Sequence, residues 1–213
     1  MSKLKVPRAY IEWEVKDKDG RIVKRGRQEA KSWVGNIVCF LSSIFYSGQF
    51  TQIGSANYYG YTPRADLKDT AGVARGVALY FGSATAAPLG ARAPAGEIEY
   101  GIAVGTGTNP PALGNFALQS RIGHGTGPGQ LQYGAVTVEE MTKDTTWLFR
   151  VVRSFTNASG AAITVYEVGL IVALPRDWSY YSCFLLARDV ISGGINVPDG
   201  ATLTLRYVIS HSL

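Results

Sequence analysis

From Phe155 to Ile209 the chain repeats one cadence, in which a run rich in β-branched and aromatic residues ends in a tight turn and another run begins. The turn Asn157-Ala158-Ser159-Gly160 leads into Ile163-Thr164-Val165-Tyr166-Glu167-Val168-Gly169-Leu170, the run Leu185 to Val190 follows, and Val197-Pro198-Asp199-Gly200 leads into Leu203 to Ile209. Successive side chains of a strand point to opposite faces, so Leu203, Leu205, Tyr207 and Ile209 share one face while Thr202, Thr204 and Arg206 share the other. Pro, Asp and Gly stand where a turn wants a preset or positive φ. Such a chain is expected to build antiparallel sheet.

The same period recurs upstream. Ala9, Ile11, Trp13 and Val15 alternate with Tyr10, Glu12 and Glu14, and Asp17-Lys18-Asp19-Gly20 supplies a hairpin turn from which Arg21 to Arg25 return. Val73 to Phe81 and Ile98 to Val104 read as strands, Leu131 to Glu139 and Thr145 to Phe155 as a hairpin, and Ala162 to Leu174 as the strand after it. A short helix is expected around Phe116 to Ser120. The fold class expected is mainly β, an antiparallel β-sandwich or jelly roll.

Between Ser32 and Gly48 the period changes. Trp33, Val34, Ile37, Val38, Leu41, Ile44 and Phe45 recur at helical spacing, with Ser32 placed as an N-cap and Gly48 as a stop. The spacing predicts one amphipathic helix, and the carboxyl-terminal body then divides from residues 1–50, which hold hairpin and helix, to fill 51–213. Packing of the helix against its own domain is the plainer reading; since Phe40 lies on the face opposite the apolar stripe, Trp33, Ile37, Phe40, Leu41 and Phe45 are the candidates for the alternative, contact between subunits. Residues 48–72, 83–96 and 105–129 read as long loops, of which the Ala/Pro/Gly tract at 83–96 has the character of a surface arm.

Charge divides the chain. The net +5 resides in residues 1–31, with ten Lys/Arg against five Asp/Glu, while residues 32–213 carry eleven of each. The basic segment suits nucleic acid, an anionic lipid surface or an acidic protein patch. Its interleaved acids make a solvated hairpin face the plainer reading, and nucleic acid is not the expected partner. Ser32 to Pro63 holds no charged residue, yet Gly35, Asn36, Ser42 and Ser43 interrupt it before the roughly 18 apolar residues of a spanning helix are reached, so no membrane role is expected. The first 31 residues lack an apolar signal-peptide core, and Cys39 and Cys183 read as buried free thiols, a single disulfide staying open. Folding in a cytoplasm is expected.

Motifs of chemistry fall short of their requirements. Gly105-Thr106-Gly107-Thr108 lacks the third glycine of a dinucleotide fingerprint, and neither it nor Gly123–Gly129 ends in the Gly-Lys-Ser/Thr of a phosphate loop. Asp17 and Asp19 are followed by Arg21 and Ile22 where a calcium loop needs an acceptor and a glycine. His124 and His211 are the only histidines, and no nucleophile elbow accompanies them. Glu97/Glu99 and Glu139/Glu140 are the carboxylate pairs a glycoside hydrolase would need, with exposed strand acids as the ordinary alternative. No enzyme activity, metal or cofactor is expected. Glu167, inside an apolar strand, requires a partner, for which Arg150, Arg153 and Arg188 are candidates, and Arg188-Asp189 is expected to brace the sheet edge or cross a subunit boundary.

Gly105-Thr106-Gly107-Thr108, Leu113-Gly114-Asn115, Phe155-x-Asn157-x-Ser159-Gly160, Glu167-Val168-Gly169-Leu170 and Leu186-Ala187-Arg188-Asp189-Val190 with its Pro198-Asp199-Gly200 turn together resemble structural proteins of tailed-bacteriophage particles, of the tail, fibre or head-decoration kind. The resemblance implies a β-sandwich in a symmetric assembly, a homo-oligomer in contact with other virion proteins, assembled in the host cytoplasm and residing in the virion. It carries no catalytic residue. The alternative expectation is a lectin-like receptor-recognition module that binds a host-surface glycan through Tyr58, Tyr59, Tyr61, Trp178, Tyr180 and Tyr181, with Glu167, Arg188 and Asp189 as structural ion-pair residues in either case.

Overall fold

The computed structural model describes residues 8–36, 51–52, 59–60, 68–75, 90–142, 146–175 and 181–212. Within them the chain is mainly β. One antiparallel sheet contains β1 (Arg8–Lys16), β2 (Ile22–Glu29), β6 (Gln132–Tyr133), β7 (Thr137–Thr142), β8 (Thr146–Thr156) and β11 (Thr202–Ser212), in the order β2-β1-β11-β8-β6 with β7 also on β8. The second contains β5 (Gly101–Gly105), β9 (Ile163–Pro175) and β10 (Tyr181–Val197), with β9 in the middle, and β3 (Thr51–Gln52) pairs separately with β4 (Tyr59–Gly60).

The expected hairpin forms, and local chemistry explains its turn. Asp17 Oδ1 accepts the amides of Asp19 and Arg21 at 3.0 and 2.9 Å, and Gly20 takes a φ of 78° that a side chain would resist. β1 then pairs over its whole length with the last strand, Arg8 opposite Ser210 and Lys16 opposite Thr202. The alternation in β11 holds: Leu203, Leu205 and Tyr207 are buried, whereas Thr202, Thr204 and Arg206 are partly exposed. Leu203, Tyr207 and Phe155 of the six-stranded sheet share one core with Ile102, Val168 and Leu185 of the three-stranded sheet.

The amphipathic helix expected from Ser32 is not seen. Ser32 is no N-cap: it and Val34 run along the free edge of β10, with Arg188 N donating to Ser32 O and Val34 N to Leu186 O, both at 3.0 Å, and Trp33 bridges Ala187. The unpaired edge of a neighbouring strand satisfies these backbone groups at once, which overrides the helical spacing of the side chains. Among the described residues helical backbone occurs only at Gly35 and Asn36. Ile37, Phe40, Leu41 and Phe45 lie outside the described residues.

Four further expectations also change. The Phe116–Ser120 helix is absent, because this segment is held from below by a side chain of β9. The Ala/Pro/Gly tract is no free arm at its end: Gly90 and Ala173 exchange backbone hydrogen bonds of 2.9 Å, and Ala93 is buried, accepting the amide of Val136. Of Val73–Phe81, residues 73–75 follow the turn at 70–72 and form no strand, only Ala74 bridging, to Lys68, and 76–81 lie outside the described residues. The strand expected over Leu131–Glu139 is broken at Gly134, whose carbonyl is taken by Arg153.

Candidate functional site

Glu167 sits in β9 among apolar neighbours, and the strand turns its carboxylate toward the loop that follows β5. There Oε1 accepts the amides of Ser120 at 2.6 Å and Gly107 at 3.2 Å, while Oε2 accepts the amide of Gln119 at 3.0 Å and Nε of Arg188 at 2.7 Å. Glu167 is 0% exposed. The approach of backbone to carboxylate explains the glycines: a Cβ at Gly105 or Gly107 would fall on Glu167 Oε1. The Gly-Thr-Gly-Thr motif therefore lends one amide, that of Gly107, to an internal carboxylate, with Gln119 and Ser120 supplying the others. Arg188 extends the clasp, its Nη1 donating to Asn109 O at 3.1 Å and Asn115 Oδ1 at 3.4 Å, while Nη2 is buried without a partner.

Of the three candidate partners, Arg188 is the one that pairs with Glu167. Arg150 pairs with Glu139 at 3.2 Å on the surface. Arg153 occupies a core position of β8 and donates to the carbonyls of Gly134, Tyr100, Ile102, Pro94 and Glu97, with its guanidinium 4.8 Å above the Tyr133 ring. Burial pulls its pKa down to about 10, so it remains charged at neutral pH.

Asp189 and Arg188 are neighbours that do different work. Asp189 Oδ1 accepts the amides of Lys31 and Ser32 at 3.1 and 3.2 Å, which anchors the segment crossing from β2 to the β10 edge, and Oδ2 accepts the Tyr207 hydroxyl at 3.1 Å. Asp189 thus acts through backbone amides and Tyr207, and Arg188 through Glu167 and the loop carbonyl of Asn109. Burial raises the Asp189 carboxyl above its ordinary range, and burial beside that carboxylate raises the Tyr207 phenol well above its own. A hollow of about 330 Å³ lies beside this anchor, lined by Gln28, Lys31, Ser32, Pro111 and Asp189 among others.

The carboxylate of this centre is engaged by internal partners. A carboxylate with both oxygens engaged by internal donors is poorly placed to receive a substrate proton. His124 spends Nδ1 on the amide of Tyr133 at 3.0 Å. Glu97 accepts the Glu99 amide at 2.7 Å, and Glu99 pairs with Arg121 at 3.0 Å. Among the described residues no group of three or more His, Cys, Asp or Glu could hold a metal ion, and no helix is long and apolar enough to cross a membrane. Cys183 is a buried free thiol whose pKa desolvation pushes up to about 12. Cys39 lies outside the described residues.

Of the aromatic residues expected in a glycan loop, Tyr59 and Tyr181 fall among the described residues. Tyr181 begins β10, is 38% exposed, and meets the buried Tyr100 edge-on at 6.1 Å. Tyr59 lies in β4. Tyr58, Tyr61, Trp178 and Tyr180 lie outside the described residues. Sequence reasoning passed over Asn36, which donates to Lys68 O and Leu185 O at 2.9 and 3.1 Å, and Asn157, which donates to Ala161 O and Val197 O at 2.8 Å. Both asparagines are buried. Only Asn157 carried a signal, its place in a turn.

The face of the three-stranded sheet that carries Gly169 is covered by the loop through Leu118, whose methyl packs where a Cβ of Gly169 would lie. On the solvent side of that loop Leu113 is 77% and Phe116 38% exposed, with Val73 at 43%. Phe116 rests against Gly72, and Leu113 O accepts the amide of Gly35 at 2.8 Å. The outer face of the six-stranded sheet is the chemical opposite. There Arg27 pairs with Glu12 and lies 3.7 Å over the Tyr10 ring, Arg25 and Lys16 pair with Glu14, and Arg206 stands opposite Glu12 in register.

No protein-family model matches the chain, and no curated protein or solved structure matches it.

Proposed function

We propose that this chain is a non-enzymatic structural subunit of a tailed-bacteriophage particle, a β-sandwich of the jelly-roll kind that self-associates and contacts neighbouring capsid or tail proteins. One observation carries the reading: the buried charges Glu167, Arg188, Asp189 and Arg153 are directed onto backbone groups of the chain's own loops. They hold a surface in shape and present no reactive group to solvent. Leu113, Phe116 and Val73 stand exposed on the surface so held, and large apolar side chains grouped in water are the ordinary mark of a contact site. The test is fractionation of particles made in cells that carry this gene with its neighbours. The subunit is expected to co-sediment with particles through a density gradient, and a chain found only as free monomer overturns the reading.

A second reading, carbohydrate recognition, rests on Tyr181. Its exposed ring is supported edge-on by Tyr100, and Glu97 and Glu99 lie near enough to help raise its phenol pKa. An exposed ring beside carboxylates is the chemistry that stacks on a sugar and accepts its hydroxyls. Binding on a glycan array that Tyr181→Ala abolishes is the expected result, and an array without signal removes this reading.

A further inference from the structure

We propose that the free edge of β2 docks one extended strand of a partner protein, a strand with carboxylates along one face and apolar side chains along the other. The inference uses a different surface from the Leu113 loop and does not depend on the subunit reading. β2 ends one side of the six-stranded sheet, and its residues are exposed apart from Gly26 and Gln28. Ala30 N donates to Ala9 O at 2.8 Å, and opposite residues of an antiparallel ladder alternate between bonded and unbonded pairs. Continued along the register, Gln28 with Ile11, Gly26 with Trp13 and Lys24 with Val15 are the bonded pairs. The amides and carbonyls of Arg25, Arg27 and Glu29 therefore point away from β1, and no described backbone group takes them.

Lysine on an edge ordinarily guards it against pairing, but here the guard is turned under. Lys24 Nζ donates to Gly194 O at 3.3 Å and Gln28 Nε2 to Val190 O at 2.9 Å. The inner side of the edge is left to Gly26 and the partly buried Trp13, whose ring fills the space a Cβ of Gly26 would take. The same two bonds fix β2 on β10 before any partner arrives, which lowers the entropy lost on binding. On the outer side a hollow of about 430 Å³ is lined by Arg25, Arg27, Arg206, Glu12 and Glu14 among others. Cations are in excess around it. Arg25 and Lys16 share Glu14, Arg27 takes Glu12, and Lys31 takes Glu29, while Arg206 and Lys24 have no carboxylate within 4.0 Å among the described residues. The turn beyond is balanced, Lys18 and Arg21 against Asp17 and Asp19. A strand added to an edge sets its side chains beside those of its neighbour on the same face, so acids beside Arg25 and Arg27 and an apolar residue beside Gly26 complete both sides. A second copy of β2 does not fit. Its two-fold registers set cations opposite each other: Arg25 on Arg25, Arg25 on Arg27, Arg27 on Arg27 or Arg25 on Lys31.

The probe is a capped peptide that alternates glutamate and valine over the length of β2, titrated with the full chain by fluorescence anisotropy beside a counterpart that alternates lysine and valine. The acidic peptide is expected to bind, less tightly as salt rises, and the basic peptide to bind about tenfold or more weakly than that. Arg27→Gln and Arg27→Pro both remove the charge, and only the proline removes the N–H that faces the edge. Arg27→Pro is therefore expected to hold the acidic peptide about fivefold or more weakly than Arg27→Gln, the scale of one edge hydrogen bond, with circular dichroism to check that both variants fold. In the wild-type chain the amides of Arg25, Arg27 and Glu29 are expected to gain hydrogen-exchange protection on binding, a readout that stands if the proline variant does not fold. An acidic peptide that does not bind, two peptides that bind equally, two folded variants that bind equally, or amides left unprotected at these positions overturns the proposal, and the density gradient still decides the subunit reading separately. A wild-type chain that dimerises in sedimentation equilibrium and is dissociated by Arg27→Pro overturns it in favour of a second copy on this edge.

Discussion

Glu167 combines two roles that usually occur apart, one half of a buried ion pair and the acceptor for a loop's amides. Removing one partner of a buried pair strands the other charge, so Glu167→Gln is expected to cost about 3–5 kcal/mol in urea or thermal unfolding. The double change Glu167→Leu with Arg188→Met separates the roles. For an ordinary buried pair such a replacement is often neutral or stabilising. Here it orphans the amides of Gly107, Gln119 and Ser120, so a loss of roughly 3 kcal/mol or more is expected to remain. A double variant as stable as wild type would show that the amides find other partners. Asp189 offers a pH test. Burial raises its carboxyl in the fold, so the native state binds the proton more tightly than the unfolded chain does, and this contribution to stability falls as pH rises from the ordinary value of 3.8 through the raised one. Asp189→Asn is expected to lack that fall, measured as a stability difference from wild type that shifts in the variant's favour across the window.

At the scale of elements, the two long backbone approaches are each held by one carboxylate. Glu167 carries the loop between β5 and β6, and Asp189 carries the crossing from β2 to the β10 edge. Hydrogen exchange is expected to show the separation: in Glu167→Gln the amides of Gly107, Gln119 and Ser120 lose protection by tenfold or more, while those of Val34 and Arg188 keep theirs. Asp189→Ala is expected to do the reverse. Exchange rising equally at both sites in either variant would mean that the elements open together. The strands themselves were readable from the residues, because alternation survives wherever one face is buried, as in β1 and β11. The covering segments were not. Trp33 and Val34 have helical spacing yet lie along β10, since spacing describes side chains and says nothing about a strand edge waiting elsewhere for backbone partners. Phe116–Ser120 likewise takes its shape from Glu167, some fifty residues later in the chain. Glu167 announced its need for a partner by its apolar context, but which arginine answered depended on sheet register: Val190 pairs with Glu167, which leaves Arg188 on the same face two residues away.

Across the molecule, burial of protonated groups gives the fold an alkaline limit. Cys183 and Tyr133 are each pushed up to about 12 by desolvation, and Tyr207 is raised well above its ordinary value. Their unfolded counterparts release protons from about pH 9 for the thiol and 10 for the phenols. Stability is therefore expected to be level below pH 9 with respect to these groups and to decline as pH rises toward about 12, the native state holding protons that the unfolded chain has lost. Arg153, lowered to about 10, opposes that decline only above its own value. Cys183→Ala is expected to remove one proton's share of the slope between pH 9 and about 12, and urea midpoints that fall along identical curves would refute the assignment of that share to the thiol. The same inward direction of polar groups is what leaves the two faces so different, one a lattice of paired charges and the other an uncharged loop held from beneath.

The closeness of Gly105 and Gly107 to Glu167 has an evolutionary corollary. Positions some sixty residues apart cannot drift independently, since any side chain at either glycine would occupy the space of the carboxylate, and the Ser120 carbonyl at Gly105 and the Gln119 side chain at Gly107 would crowd it as well. Among descendants of this chain larger residues at 105 or 107 should be found only where position 167 and the covering segment at 119–120 have changed with them.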